Sequence, residues 1–133
     1  MLLPVTTILA SVLSLLFVWL SIQVIKRRRQ LRVLLGAGGQ QELEWAIRAQ
    51  GNFAEYVPIS LILIACAEFN KTDWRILIVF AIFLLSGRVL HAYGFLFARD
   101  NLDFRVRGMK LTFWVIITLA LWNIGLISYR ANA

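Results

Sequence analysis

From Leu2 to Ile25 the chain carries no charged residue. As a helix, at about 1.5 Å per residue, this run is roughly 36 Å long, more than the ~30 Å hydrocarbon core of a bilayer. A second uncharged run, Leu111–Tyr129, is also of spanning length. Between them lie two apolar runs of only twelve residues each, Tyr56–Ala67 and Ile76–Gly87. Neither alone crosses a core that needs about 20 residues. Each becomes long enough only when Glu55 and Arg88, the charges that bound them, lie inside the membrane or at its edge. Ionisable residues in that position are costly and usually functional.

The composition fits lipid as the solvent. Of 133 residues, 60% are hydrophobic, against about 45–50% apolar in an ordinary soluble domain, and the mean hydropathy is +0.75. A soluble fold this short cannot bury so much apolar surface. The expected architecture is all-α: an integral membrane four-helix up-and-down bundle forming one domain over residues 1–133. Helices are expected at about 2–25, 42–69, 72–97 and 108–129. The first is read as a retained helix rather than a signal peptide, since no Lys or Arg precedes it and the basic cluster follows it. Asn70 and Lys71 form a tight connection that makes helices 2 and 3 antiparallel neighbours. Thr72 is the expected N-cap, and Asp73 is favourable in the first turn.

A formal net charge of +7 suits nucleic acid or an anionic membrane surface. The cations sit in short segments between apolar runs, which points to membrane lipid as the partner and away from nucleic acid. Loop one, Lys26–Gln41, holds Lys26, Arg27, Arg28, Arg29 and Arg32, then Gly36, Gly38 and Gly39. Loop three, Ala98–Lys110, holds Arg99, Arg105, Arg107 and Lys110, while the opposite side has Lys71, Arg75 and Arg130. The positive-inside rule places both loops in the cytoplasm and both termini outside. Cys66 and His91 are the only residues of their types. They support neither an internal disulfide nor a metal site, and Cys66 is expected to be a small buried hydrophobe.

On helix 2, Arg48, Asn52 and Glu55 stand at i, i+4 and i+7, one helical stripe, with Tyr56 beside it. On helix 3, Arg88 and His91 stand at i and i+3. Glu55 is fourteen residues from Phe69 and Arg88 fourteen from Trp74, so both lie roughly 21 Å from the outer end and share a level. A structural ion pair between Glu55 and Arg88 explains two of these residues. A site for a polar, mostly anionic molecule explains all of them together with Arg105. Arginines bind carboxylates bidentately, a membrane carboxylate suits an ammonium, and Asn offers both donor and acceptor. Glutathione has this inventory, and other amino-acid-like anions fit as well. A guanidinium beside a thiol, which titrates near about 8.5 when free, favours the reactive thiolate.

The stretch Arg48-Ala49-Gln50-Gly51-Asn52-Phe53-Ala54-Glu55-Tyr56-Val57-Pro58 resembles the second-helix motif of the MAPEG family of glutathione-dependent membrane enzymes. Gly87-Arg88-Val89-Leu90-His91 resembles its third-helix segment, and Arg105-Val106-Arg107-Gly108 its basic approach to the fourth helix. The compact length and the Gly36–Gly39 loop are similar to the bacterial branch, which implies the bacterial inner membrane. The resemblance implies a homotrimer with glutathione between adjacent subunits on the cytoplasmic side. It implies that Arg48, Asn52, Glu55 and Tyr56 bind the peptide, and Arg88 and His91 are expected to join them as glutathione-binding residues. It also implies that Arg105, with Arg107 as runner-up, stabilises the thiolate, and that Lys26 or Arg28 of a neighbouring subunit adds a cation. The chain departs from the family pattern at His91 and Phe95, where a leukotriene-forming member carries tyrosines.

The activity implied is a glutathione transferase or peroxidase acting on hydrophobic small molecules that arrive through lipid, with glutathione as cosubstrate and no metal. Two other classes remain open: a non-catalytic binding or scaffold protein, and a small four-helix transporter. The small multidrug transporters carry an essential glutamate in helix 1, where this chain has no charge.

Overall fold

The computed structural model describes residues 2–132. Four helices follow one another: α1 (Pro4–Leu31), α2 (Gln41–Phe69), α3 (Trp74–Leu96) and α4 (Leu102–Ala131). All four are long and apolar enough to cross a membrane, so the chain is an all-α integral membrane bundle. Helices α2 and α3 each pack against all the others, whereas α1 and α4 do not meet. The interior is a column of fully buried aliphatic side chains, among them Leu13, Leu20, Ile64, Leu77, Leu84, Val115 and Leu119.

Two helices extend well past the bounds expected for them. α1 continues through the basic cluster to Leu31, so Lys26–Arg29 lie on its last turns and not in a loop. The cations Arg28 and Arg29 stabilise the carbonyl end there. The helix stops at Arg32, which turns left-handed at φ 54° and donates its N–H to Arg28 O and Arg29 O. α4 begins at Leu102, not near residue 108, because the Asn101 side chain caps it by accepting from Asp103 N at 2.9 Å. Arg105 and Arg107 are therefore helical residues.

The connections at the α2–α3 turn and the start of α1 also differ from expectation. Asp73, not Thr72, is the N-cap of α3: its carboxylate accepts from Arg75 N at 2.8 Å. Thr72 instead accepts a hydrogen bond from Trp122 Nε1 at 3.1 Å, tying the turn to α4. Leu3 gives α1 no side-chain cap. Glu68 supplies one from the end of α2, accepting from Val5 N and Thr6 N, each at 2.8 Å, and from Thr6 Oγ1 at 2.6 Å. Its negative charge sits where the α1 dipole is positive. Cys66 is exposed on the outside of the bundle rather than buried.

The closest helix crossing is α3 on α4, and glycine makes it. A Cβ on Gly108 would stand 2.6 Å from Gly87 O and 2.7 Å from His91 N. Likewise, a Cβ on Gly94 would stand 2.7 Å from Arg105 Cγ. Small residues let membrane helices approach until backbone touches backbone. This crossing sets the positions of Arg88, His91 and Arg105.

Candidate functional site

α2 carries the polar stripe on a face that the single chain leaves open. Arg48 is exposed and lies 3.8 Å from Glu44, one turn earlier. Asn52 is half-buried, and its Nδ2 donates to Arg48 O at 3.0 Å, which leaves Oδ1 as the outward acceptor. Glu55 is exposed, and among the described residues it has no hydrogen bond and no cationic partner. Tyr56 is half-buried, with its ring edge-on to Phe113 of α4 at 5.5 Å. Guanidinium, acceptor and carboxylate thus follow one another along about two turns of one helix.

Arg88 shares this level but not this face. It is only 1% exposed, and it does not pair with Glu55. Its Nη1 points at Asn52 O, 3.4 Å away, and its Nη2 at Gly108 O, 3.5 Å away, and at Met109 Sδ, 3.3 Å away. Its Cζ lies 5.7 Å from the centre of the Tyr56 ring. The guanidinium is therefore held by carbonyl dipoles and a π face, and it links α2 to α4 through the interior. Asn52 and Tyr56, two of the four stripe residues, rest directly on it.

His91 and Arg105 form a second group one turn further along α3. His91 Nδ1 lies 3.0 Å from Arg105 O. A carbonyl only accepts, so Nδ1 carries the proton, and the buried Nε2 has no partner among the described residues. The Arg105 guanidinium stacks on Phe95, with Cζ 4.8 Å from the ring centre, and donates from Nη2 to Arg99 O at 2.8 Å. Arg107 is exposed and has no hydrogen bond among the described residues. Gly108 joins the two groups, with its carbonyl facing Arg88 and its backbone against His91.

Lys26 and Arg28, on the last turns of α1, make no hydrogen bond or ion pair with the stripe among the described residues. Lys26 is exposed, and Arg28 Nη1 is used on Leu34 O at 3.2 Å and Gly36 O at 2.9 Å. Three contributors were not singled out as site residues in the sequence: Glu44, Met109, and the Arg99 that, with Phe95, fixes Arg105. Glu44 was legible, since a carboxylate four residues before an arginine on a helix is a recognised pair. Met109 and Arg99 follow from where α4 begins, which the apolar pattern does not mark.

The arrangement fits a peptide-like anion. The α2 face offers a cation for a carboxylate, a carboxylate for an ammonium, and an amide oxygen for an N–H. Comparison with known proteins agrees with the motifs. The profile of the MAPEG family matches residues 6–125. The chain is 36% identical over 120 residues to inner membrane protein YecN of Escherichia coli strain K12, covering 90% of each chain. The same identity and coverage hold for YecN of Escherichia coli O6:H1 strain CFT073. The match runs from the first turn of α1 to near the end of α4 and includes every residue of the candidate site, so this integral membrane protein belongs to the MAPEG family.

Proposed function

We propose that the protein is a membrane-bound glutathione-dependent transferase of the bacterial inner membrane, working on lipophilic electrophiles. The observation that carries this reading is the uncompensated Glu55, exposed beside Asn52 and in line with Arg48 on a membrane-spanning helix. A carboxylate bare to lipid is costly. An ammonium-bearing ligand, enclosed by further copies of the chain in a homotrimer, removes that cost and gives the stripe a purpose.

In this reading Glu55 holds the γ-glutamyl ammonium, Arg48 a carboxylate, Asn52 Oδ1 a peptide N–H, and Tyr56 the peptide plane or its polar groups. Arg88 acts from the interior, fixing the Asn52 backbone and the Tyr56 ring, and His91 keeps the Arg105 turn in register. Lys26 of a neighbouring subunit supplies a further cation, a role for which Arg28 must first release its loop carbonyls. The glutathione thiol gives up its proton to bulk water, and Arg105 stabilises the thiolate that remains. Sulfur then attacks the electrophilic carbon, the C–S bond forms as the bond to the leaving group breaks, and the leaving group departs with that electron pair. The protein contributes position and charge, and the cosubstrate contributes the nucleophile.

The test is equilibrium binding of glutathione to the purified protein and its Glu55→Gln variant. Loss of at least about tenfold in affinity is expected, since a charge-assisted contact contributes roughly 1.5–3 kcal/mol. Unchanged affinity would make Glu55 structural and remove the reading. A second reading, binding without catalysis, is favoured by one feature: Arg105 already spends Nη2 on Arg99 O and its face on Phe95. The ultraviolet absorbance of bound thiolate separates the two, because a binding protein holds glutathione as the thiol.

A further inference from the structure

We propose that the basic end of α1 is a binding site for the phosphate-bearing headgroup of an anionic phospholipid. The recess there is open, about 500 Å³, and lined by Arg28, Arg29, Arg32, Val33 and Leu34. The charge-free stretch of α1 ends at Ile25. Arg28 to Arg32 therefore stand within about 10 Å of the hydrocarbon edge, at headgroup level. Five cations occupy positions 26, 27, 28, 29 and 32, and none has a carboxylate partner among the described residues. The acids that begin α2 are taken, Glu42 by Arg99 at 3.1 Å and Glu44 by Arg48 at 3.8 Å. The carbonyl end of α1 repels an anion with about half a charge, far less than five cations attract.

The recess is built by hydrogen bonds. Val33 N donates to Arg28 O at 3.1 Å, and Arg28 Nη1 donates to Leu34 O and Gly36 O. These bonds fold the loop back against the helix end, with Arg29 and Arg32 left exposed. Beside them Leu34 is 91% and Leu35 88% exposed. A free phosphate has no use for this leucine pair. A phospholipid does: the leucines enter its acyl layer while the guanidiniums hold its phosphate, each arginine strengthening binding by about fivefold at the surface.

Native mass spectrometry of the full chain in uncharged detergent tests this, comparing phosphatidylglycerol with phosphatidylcholine of the same acyl chains. The wild type should retain phosphatidylglycerol at least about tenfold more tightly. Arg29→Gln/Arg32→Gln should remove most of that preference, and Leu34→Asn/Leu35→Asn should weaken phosphatidylglycerol binding. Lys71→Gln/Arg75→Gln, which removes the same charge elsewhere, should leave the preference intact. Equal binding of the two lipids by the wild type overturns the proposal without recourse to any variant. So does an equal loss in the Lys71/Arg75 variant, which would mean that total charge is what binds. Displacement of the lipid by inorganic phosphate, or no effect of the leucine changes, would make this a free-anion site and overturn the lipid assignment.

Discussion

A guanidinium enclosed in a membrane bundle without a carboxylate is held only as well as its surroundings allow. Arg88 relies on two long contacts to carbonyls, one to sulfur and the Tyr56 face, and its Nε has no partner among the described residues. Its depth was legible from the sequence, since it reaches Asn52 O and the Tyr56 ring, within a turn of Glu55. The direction of its side chain was not. In lipid the outward face of a helix is as apolar as the packed face, so the pattern of Ile and Leu does not reveal rotation. That is why the equal levels of Glu55 and Arg88 suggested a pair that the structure does not form. Arg105 and Arg107 pose the same problem with a sharper test. They lie two residues apart on α4 and point about 200° away from each other. Arg105→Ala should leave glutathione affinity within about threefold while lowering turnover by tenfold or more, the pattern of a lost thiolate or transition-state contact. Arg107→Ala should change both less. Thiolate absorbance that survives in the Arg105 variant and disappears in the Arg107 variant would exchange their roles.

Among the elements, the α3–α4 crossing and the cap on α1 are the two places where one residue decides the geometry. Gly108 is closed in by two backbone atoms, Gly87 O and His91 N, and by His91 Cβ, all within 2.8 Å of where a side chain would begin. Backbone cannot swing aside as a flexible side chain does, so Gly108→Val should force the helices apart. A loss of about 3 kcal/mol in resistance to unfolding by sodium dodecyl sulfate is expected, at the upper end for overpacking. A stability equal to wild type would show that the helices do not approach this closely. Glu68 binds two backbone N–H groups and a hydroxyl at the start of α1. Glu68→Ala should cost about 2 kcal/mol in the same assay, the combined scale of a lost cap and lost charge-assisted bonds. An unchanged midpoint would mean that water replaces the carboxylate fully. The first and last helices could be read from apolar run length, and the middle two only by taking Glu55 and Arg88 into the span. Their ends could not, because a span stops at the membrane edge while a helix stops at a cap. α1 runs on to Leu31, where Arg32 caps it, and α4 starts at Leu102, after its cap Asn101, for that reason.

At the scale of the whole molecule, the open question is what covers the polar face of α2. α1 and α4 do not meet, and Arg48 and Glu55 face outward from a helix of membrane-spanning length. Lipid is a poor neighbour for either charge. Copies of the same chain can close that face, and a protein mass of three 15.2 kDa chains is expected in mild detergent after the detergent contribution is subtracted. A monomer that still binds glutathione would sink the homotrimer. The orientation of the bundle is a separate expectation with its own test. α1 and α3 run one way and α2 and α4 the other, so loops 32–40 and 97–101 share a side and the 70–73 turn lies opposite. The cations cluster with the first two loops, which the positive-inside rule assigns to the cytoplasm. Single cysteines replacing Gly38, Asp103 and Lys71 can be labelled in intact cells with an impermeant maleimide. Cys66 is exposed near the C-terminal end of α2 and must first become serine, or it will report in every sample. Cysteine at 71 should react from outside the intact cell, whereas 38 and 103 should react only after the membrane is opened. Reaction of 38 and 103, but not 71, in intact cells would invert the bundle and place the glutathione stripe where the cytoplasmic pool of the thiol does not reach.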